Sequence, residues 1–412
     1  MDLERTTALL TDACARLGVP GAQVGLLHGD ERVVATSGSV GVEDGSAPVE
    51  ASTPFHAGSI AKSLAALVVV DAARQGSVDL DVPCSDQADG LWTDTPRALM
   101  SHTTGRQNVL PEIDEDLEAF VERVGEMPLV HAPGRFSYGN ANWSVLDLLL
   151  RRRTGRSFED LARTALGPDT TFGMPEGGAR GHAVAPGGTP TPVPSEYAEA
   201  ASAAGSRWWT TADQLLDYAR LHLDDGGEVF HGDDVRELRR PHVAVPGATI
   251  SDAWGLGWAL WDRGEHTAFG WAGYTGGHRA YLRCFPDQDA AVVVLANSAG
   301  PLFGPPGGSA LFDDLLPRLL TELGVPALGD AEDAGPPTPA SELAGGYGPV
   351  TLRADGPDGL LLDAAAFGEP APIPHHRLSG DTFVADGHPP GGMPIAVADG
   401  LLYLGPFAIA RS

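Results

Sequence analysis

Strand follows strand between Ala253 and Asn297, and this segment constrains the fold more than any other. The runs Gly255–Asp262, His266–Ala272, Arg279–Phe285 and Ala290–Asn297 are rich in aliphatic and aromatic residues and are joined by short turns. Short connections force antiparallel pairing, because a parallel neighbour needs a crossover of about a dozen residues or more. An antiparallel meander is therefore expected here. Earlier in the chain, Leu3–Leu17 carries apolar residues at helical spacing and stops at Gly18–Gly21. A hairpin is expected for Ala22–His28 and Arg32–Thr36, across Gly29-Asp30. Ser59–Gln75 reads as a helix that is apolar almost all round and hence buried.

From about 78 to 210 the pattern is helices and loops, with helices expected at Pro96–Ser101, Asp116–Glu126, Asn140–Arg153 and Ser157–Leu166. Gly167–Ser195, rich in Gly, Pro and Thr, reads as a long surface excursion. Thr211–Leu223 is helical, with Thr210 or Thr211 as its cap. Ser309–Leu323 is an amphipathic helix after the meander. This order predicts an α/β (α+β) architecture: an antiparallel sheet flanked by helices, with a helical lobe inserted at about 78–210. The first domain would span 1–328 and a linker 329–341. A small all-β module would fill 342–412, where Asp-Gly turns occur at Asp355, Asp358 and Asp399.

Charge and composition exclude several functions. Fifty-five acidic against 27 basic residues leave a net charge of −28, which disfavours nucleic acid and anionic membrane as partners. The longest apolar stretch, Leu64–Ala73, is interrupted by Asp71 and falls short of the ~18 residues a membrane span needs. Cys14, Cys84 and Cys284 are too far apart in sequence for zinc or redox spacing and read as buried free thiols. With an acidic N-terminus that lacks an apolar core segment, they point to a cytoplasmic location. The thirteen histidines show no metal-ligand spacing, so neither metal nor cofactor is expected.

Of the 27 basic residues, 26 are arginine and one is lysine, Lys62. It lies three residues after Ser59, and residues at i and i+3 share a helix face. A serine hydroxyl needs a nearby base to become a nucleophile. Burial can lower a lysine pKa until it exchanges protons near neutrality, which arginine does not do. A chain that uses arginine everywhere else thus keeps lysine where neutralisation is useful. Tyr138, in Tyr138-Gly139-Asn140, sits at a loop-to-helix junction, where a phenol facing a cation can serve as general base. Gly270-Trp271-Ala272-Gly273-Tyr274-Thr275-Gly276-Gly277 ends one strand and turns into the next. Its glycines allow close backbone approach, and an exposed strand-edge N–H can stabilise an oxyanion.

Ser59-Ile60-Ala61-Lys62, Ser101-His102-Thr103-Thr104-Gly105, Tyr138-Gly139-Asn140 and the glycine turn occur in one order. Together they resemble the serine β-lactamase and penicillin-binding-protein superfamily, in particular class C β-lactamases and their esterase relatives, over about residues 5–325. The resemblance implies Ser59 as nucleophile, with Lys62 and Tyr138 as the proton-transfer pair. It implies Asn140 as a ligand-amide or Lys62-orienting group, and the amides of Ser59 and Tyr274 as oxyanion hole. His102 matches a position that is usually structural. The family's third motif is usually Lys-Thr-Gly or His-x-Gly. Here Trp271-Ala272-Gly273 stands in its place, which looks like the family VIII carboxylesterases and removes a cation for a substrate carboxylate. Arg279 on the adjoining strand is a candidate replacement. The β module resembles, more loosely, lipocalin-like domains appended to some relatives.

The function expected is serine acyl transfer through acyl-Ser59, hydrolysing a small-molecule ester, amide or peptide-like substrate or transferring its acyl group. A natural-product transacylase or peptide cyclase, a D-stereospecific peptidase or β-lactamase, and a non-catalytic binding module are the alternatives. Oligomeric state is left open.

Overall fold

In the computed structural model of the protein, Ala290–Ala296 forms a strand buried along its whole length. Its side chains alternate between two cores, with Val292 and Val294 in one and Ala291, Val293 and Leu295 in the other. A strand buried on both faces needs no polar alternation, which is why this sequence has none. Around it runs an eight-stranded sheet. The order is Glu31–Gly38, Gly21–His28, Ala290–Ala296, Arg279–Phe285, His266–Tyr274, Ala259–Arg263, Ala253–Trp254 and Val243–Ala244. Every neighbouring pair is antiparallel. The structure describes all residues except 113, 186–187, 196–198, 264–265, 301–307, 330–335, 368–370 and 387–393.

Helices Leu3–Leu17 and Gly308–Leu323 cover one face of the sheet, burying Leu10, Ala13, Leu311, Leu315 and Leu319 against it. Helices Ala61–Arg74 and Ala212–Leu223 cover the other. Between them in sequence come the helices Pro96–Met100, Leu117–Glu126, Ala141–Thr154 and Phe158–Leu166. Thr95, Asp116 and Ser157 cap three of these by accepting main-chain N–H bonds. Thr211 and Gln214 form a reciprocal capping box on Ala212–Leu223.

The C-terminal part is all β. Eight strands from Gly345–Tyr347 to Phe407–Ala410 pair antiparallel in sequence order. A bridge between Tyr347 and Arg411 joins the first strand to the end of the last, giving a barrel-like closure around Leu352, Leu362, Phe383 and Leu402. This domain docks on the sheet domain. Leu401 and Tyr403 join the core that holds Phe136 and Trp254. Thr249 Oγ1 donates to the Gly405 carbonyl (2.8 Å), and Thr382 Oγ1 to that of Gly247 (3.1 Å).

Several sequence expectations need correction. The strand expected at Gly255–Asp262 is two pieces, Ala253–Trp254 and Ala259–Arg263. Gly257 breaks it, at φ +78°, where a side chain would stand 2.9 Å from the Lys62 carbonyl. The excursion 167–195 is partly ordered into sheet: Thr171–Phe172 pairs with Trp208–Thr210, and His182–Ala183 with Ser298–Ala299. Gly232–Leu238 is a helix that the sequence pattern did not reveal. The module expected as all β from 342 opens instead on the end of a short helix, Ala340–Leu343, before its first strand Gly345–Tyr347. Of the expected linker, 330–335 lies outside the described residues. All three cysteines are free and buried, and burial pushes each thiol up to about 12. No helix among the described residues is long and apolar enough to cross a membrane.

Candidate active site

Ser59 sits in a 3-10 turn, Gly58–Ile60, that leads directly into the helix Ala61–Arg74. One turn on, Lys62 is fully buried, and its Nζ stands 3.0 Å from Ser59 Oγ. Nζ also donates to the Gly205 carbonyl at 2.6 Å and lies 5.3 Å from the centre of the Tyr138 ring. Burial lowers the Lys62 pKa to about 7. The ammonium loses water and gains neutral acceptors in exchange, so its charged form is disfavoured. The lysine can therefore change protonation near neutrality beside a serine hydroxyl.

Gly205 reaches the site through a turn that sequence reasoning did not single out. Ser202, at φ +55°, accepts from the Ala204 N–H through its hydroxyl oxygen and donates that hydroxyl to Asp147 at 2.7 Å. Asp147 is buried on the helix Ala141–Thr154 and also pairs with Arg151. The small-residue run Ala200–Ser206 is the only signal in the sequence for such a tight approach.

Tyr138 is buried at the other side of Lys62. Its ring lies 4.3 Å from that of His102 and is edged by Trp254, Trp271 and Phe407. The indole N–H of Trp271 donates to the Tyr138 hydroxyl at 3.3 Å. The Tyr138 amide donates to the Pro406 carbonyl of the C-terminal domain (3.1 Å). His102 accepts from the Gly139 N–H at 3.1 Å, and burial together with the Lys62 charge keeps its pKa well below normal. A neutral imidazole thus braces the tyrosine loop.

Gly273 and Gly58 meet backbone to backbone. A side chain on Gly273 would strike the Ala57 carbonyl, and one on Gly58 would stand 3.0 Å from Gly273 Cα and 3.1 Å from the Tyr274 amide nitrogen. The main chains around Ser59 and Tyr274 are thereby brought side by side. Asn140 directs both its backbone and side-chain N–H groups to Asn108 Oδ1, at 3.0 and 2.9 Å. Lys62 Nζ bonds to Ser59 and Gly205 instead. Arg279 is not available as a replacement cation in the cleft. It is buried, donates to the carbonyls of Thr275, His278 and Gly300, and lies under the Tyr274 ring.

An antiparallel sheet with a helical lobe, and a Ser-x-x-Lys pair where the two meet, define a serine β-lactamase-like protein. The chain belongs to the β-lactamase family, whose sequence profile matches residues 7–311, and so to the serine β-lactamase and penicillin-binding-protein superfamily of serine hydrolases. It is 28% identical over 355 residues to penicillin-binding protein 4 of Amycolatopsis lactamdurans, covering 78% of this chain and 89% of that protein. Among solved structures it is similar to SurE, at 26% identity and a TM-score of 0.78, over 99% of this chain and 98% of that one. SurE has also been solved with D-Leu. A class C β-lactamase from Rhodobacter sphaeroides shares the fold, at 21% identity and a TM-score of 0.64, over 78% of this chain and 99% of its own.

Proposed function

We propose that the protein is a serine acyl-transfer enzyme that works through an acyl-Ser59 intermediate. The observation that carries this reading is the fully buried Lys62 amine, 3.0 Å from Ser59 Oγ and with its pKa lowered to about 7. The bond from Ser59 Oγ to the substrate carbonyl carbon forms as the hydroxyl proton passes to neutral Lys62 Nζ. The amides of Ser59 and Tyr274 receive the negative charge on the carbonyl oxygen. The bond to the leaving group then breaks, and the proton returns from Lys62 through the Tyr138 hydroxyl to that group. Water or another nucleophile attacks the acyl-serine, releasing product and restoring Ser59. Trp271 sets the Tyr138 hydroxyl through its indole N–H, and Asn140, two residues on from Tyr138, is held to Asn108.

The substrate is a small ester, amide or peptide-like molecule whose acyl part is neutral or apolar. Support comes from Trp271 standing where relatives carry a cation, and from the commitment of Arg279 to backbone carbonyls. A D-amino-acyl group, including transfer to an amine, is a second reading. It is favoured by the likeness to SurE over nearly the whole of both chains, SurE having been solved with D-Leu.

Intact-protein mass spectrometry with short acyl esters and D-leucine methyl ester, with and without an amine acceptor, tests both. An adduct on Ser59 is expected. Amine-dependent release marks a transferase, release by water a hydrolase, and no adduct with any ester, thioester or β-lactam overturns acyl transfer.

A further inference from the structure

Two residues before Gly58, His56 ends a two-residue strand that pairs with Trp209 across Trp208–Thr210. The chain then has to turn sharply to bring Ser59 onto its helix. Ala57 stays in the sheet, donating its N–H to the Trp208 carbonyl at 2.8 Å. Gly58 takes the left-handed conformation, φ +53°, in a slot where a side chain would stand only 3.0 Å from Gly273 Cα. Its N–H points back and donates to His56 Nδ1 at 3.0 Å. That bond closes the turn and requires the ring proton to sit on Nε2.

The ring is suited to that task. It is buried, and Trp209 and His278 flank it at 5.2 and 6.0 Å between ring centres. Burial, and the charge of Arg207 behind it, hold the imidazole pKa down to about 3, so Nδ1 remains an acceptor at every pH at which the protein would work. We propose that His56 is a positioning residue for acyl transfer: by accepting the Gly58 N–H it fixes the turn that aims the Ser59 amide, beside the Tyr274 amide, at the developing oxyanion. This rests on the acyl-Ser59 reading above. His56 does not touch substrate. It acts through the backbone of the next three residues, and its effect belongs to the transition state rather than to binding.

The competing explanation is that His56 merely fills space between Trp209 and His278. Two substitutions separate the roles because each keeps one property and discards the other. His56→Asn keeps an acceptor that can reach the N–H two residues on, as asparagine does in Asx turns, but loses the ring. His56→Phe keeps the ring and loses the acceptor. Acylation is followed with p-nitrophenyl butyrate, both as kcat and KM and as Ser59 adduct by mass spectrometry. His56→Asn is expected to stay within about threefold of the parent, whereas His56→Phe loses about tenfold or more in kcat with KM within about twofold. If His56→Phe does not fold, as judged by circular dichroism and thermal melting, His56→Leu supplies the same test. Near-parent kcat in the variants without an acceptor overturns the proposal, as does an equal loss in His56→Asn and His56→Phe. Failure of the parent protein itself to form a Ser59 adduct with this ester or with any other ester, thioester or β-lactam would instead overturn the acyl-transfer reading on which this one stands.

Discussion

Two buried cations, Lys62 beside Ser59 and Arg279 beneath Tyr274, are treated in opposite ways. Arg279 has three carbonyl acceptors and an aromatic ring above it, so its guanidinium is solvated by the protein almost as water would solvate it. Lys62, equally buried, has one carbonyl and one hydroxyl. The first arrangement holds a charge in place and orders the turn around Thr275–Arg279. The second leaves the charge short of partners, and its pKa falls to about 7. Burial alone therefore does not bring a cation to the point of losing its proton near neutrality; burial with few acceptors does, and only for a side chain that can lose its proton.

The hardest test of that contrast is to give the base site the other cation. Lys62→Arg keeps the charge and removes the titratable proton, and should lower the rate of Ser59 acylation by on the order of 10³-fold. Stopped-flow acylation near parent rates would show that Lys62 does not shuttle the proton.

Next comes pH. The proposed mechanism makes neutral Lys62 the active form, so kcat/KM should fall about tenfold per unit below pH 7, and a flat profile between pH 5.5 and 8 would break the assignment. Stability should move with it. In the unfolded chain the lysine pKa is near its ordinary 10.5, so between about 7 and 10.5 the unfolded state binds more protons than the folded one. Stability therefore rises with pH across that window and is lost as pH falls through 7. Urea titrations should show this slope in the parent and its absence in Lys62→Met.

On the arginine side, Arg279→Met takes a donor from three carbonyls, of which those of His278 and Gly300 keep the Thr275 N–H and the Tyr274 hydroxyl, and should cost about 2 kcal/mol of stability by the same titrations. The acid limb of the pH profile should stay near 7. A shift of that limb would mean that the two cations are coupled.

The smallest effect concerns the fine setting of Tyr138. Trp271→Phe removes a single hydrogen bond to its hydroxyl and should slow acylation about fivefold, the worth of roughly 1 kcal/mol. Unchanged kinetics would detach Trp271 from the proton path.

How legible these regions were in the sequence follows from the range over which each is built. Ser59 and Lys62 face each other because three residues on a helix do so whatever surrounds them. Tyr138 was found through its neighbours Gly139 and Asn140, and the central strand through an unbroken apolar run. By contrast, Lys62 is anchored by a carbonyl 143 residues away, and Tyr138 by the carbonyl of Pro406 in another domain. Every residue has a carbonyl, so a backbone acceptor leaves no mark on composition or spacing. Arg279 shows the complementary failure. Its identity announces a cation, but whether that cation faces the cleft or the core depends on where three carbonyls gather.

The sequence by itself determined the antiparallel meander, the helix that pairs serine with lysine, the order of the motifs and the change from helical to all-β texture at the C-terminus. Each depends on local periodicity or on a side chain's own chemistry. Tertiary structure alone decided that Lys62 is buried with so few acceptors, that Arg279 is spent on backbone, that Asn140 turns to Asn108, and that the Gly58 turn closes on His56. Those outcomes depend on the distances between groups far apart in the chain, and it is such distances that set desolvation, hydrogen bonding and so the protonation of the site.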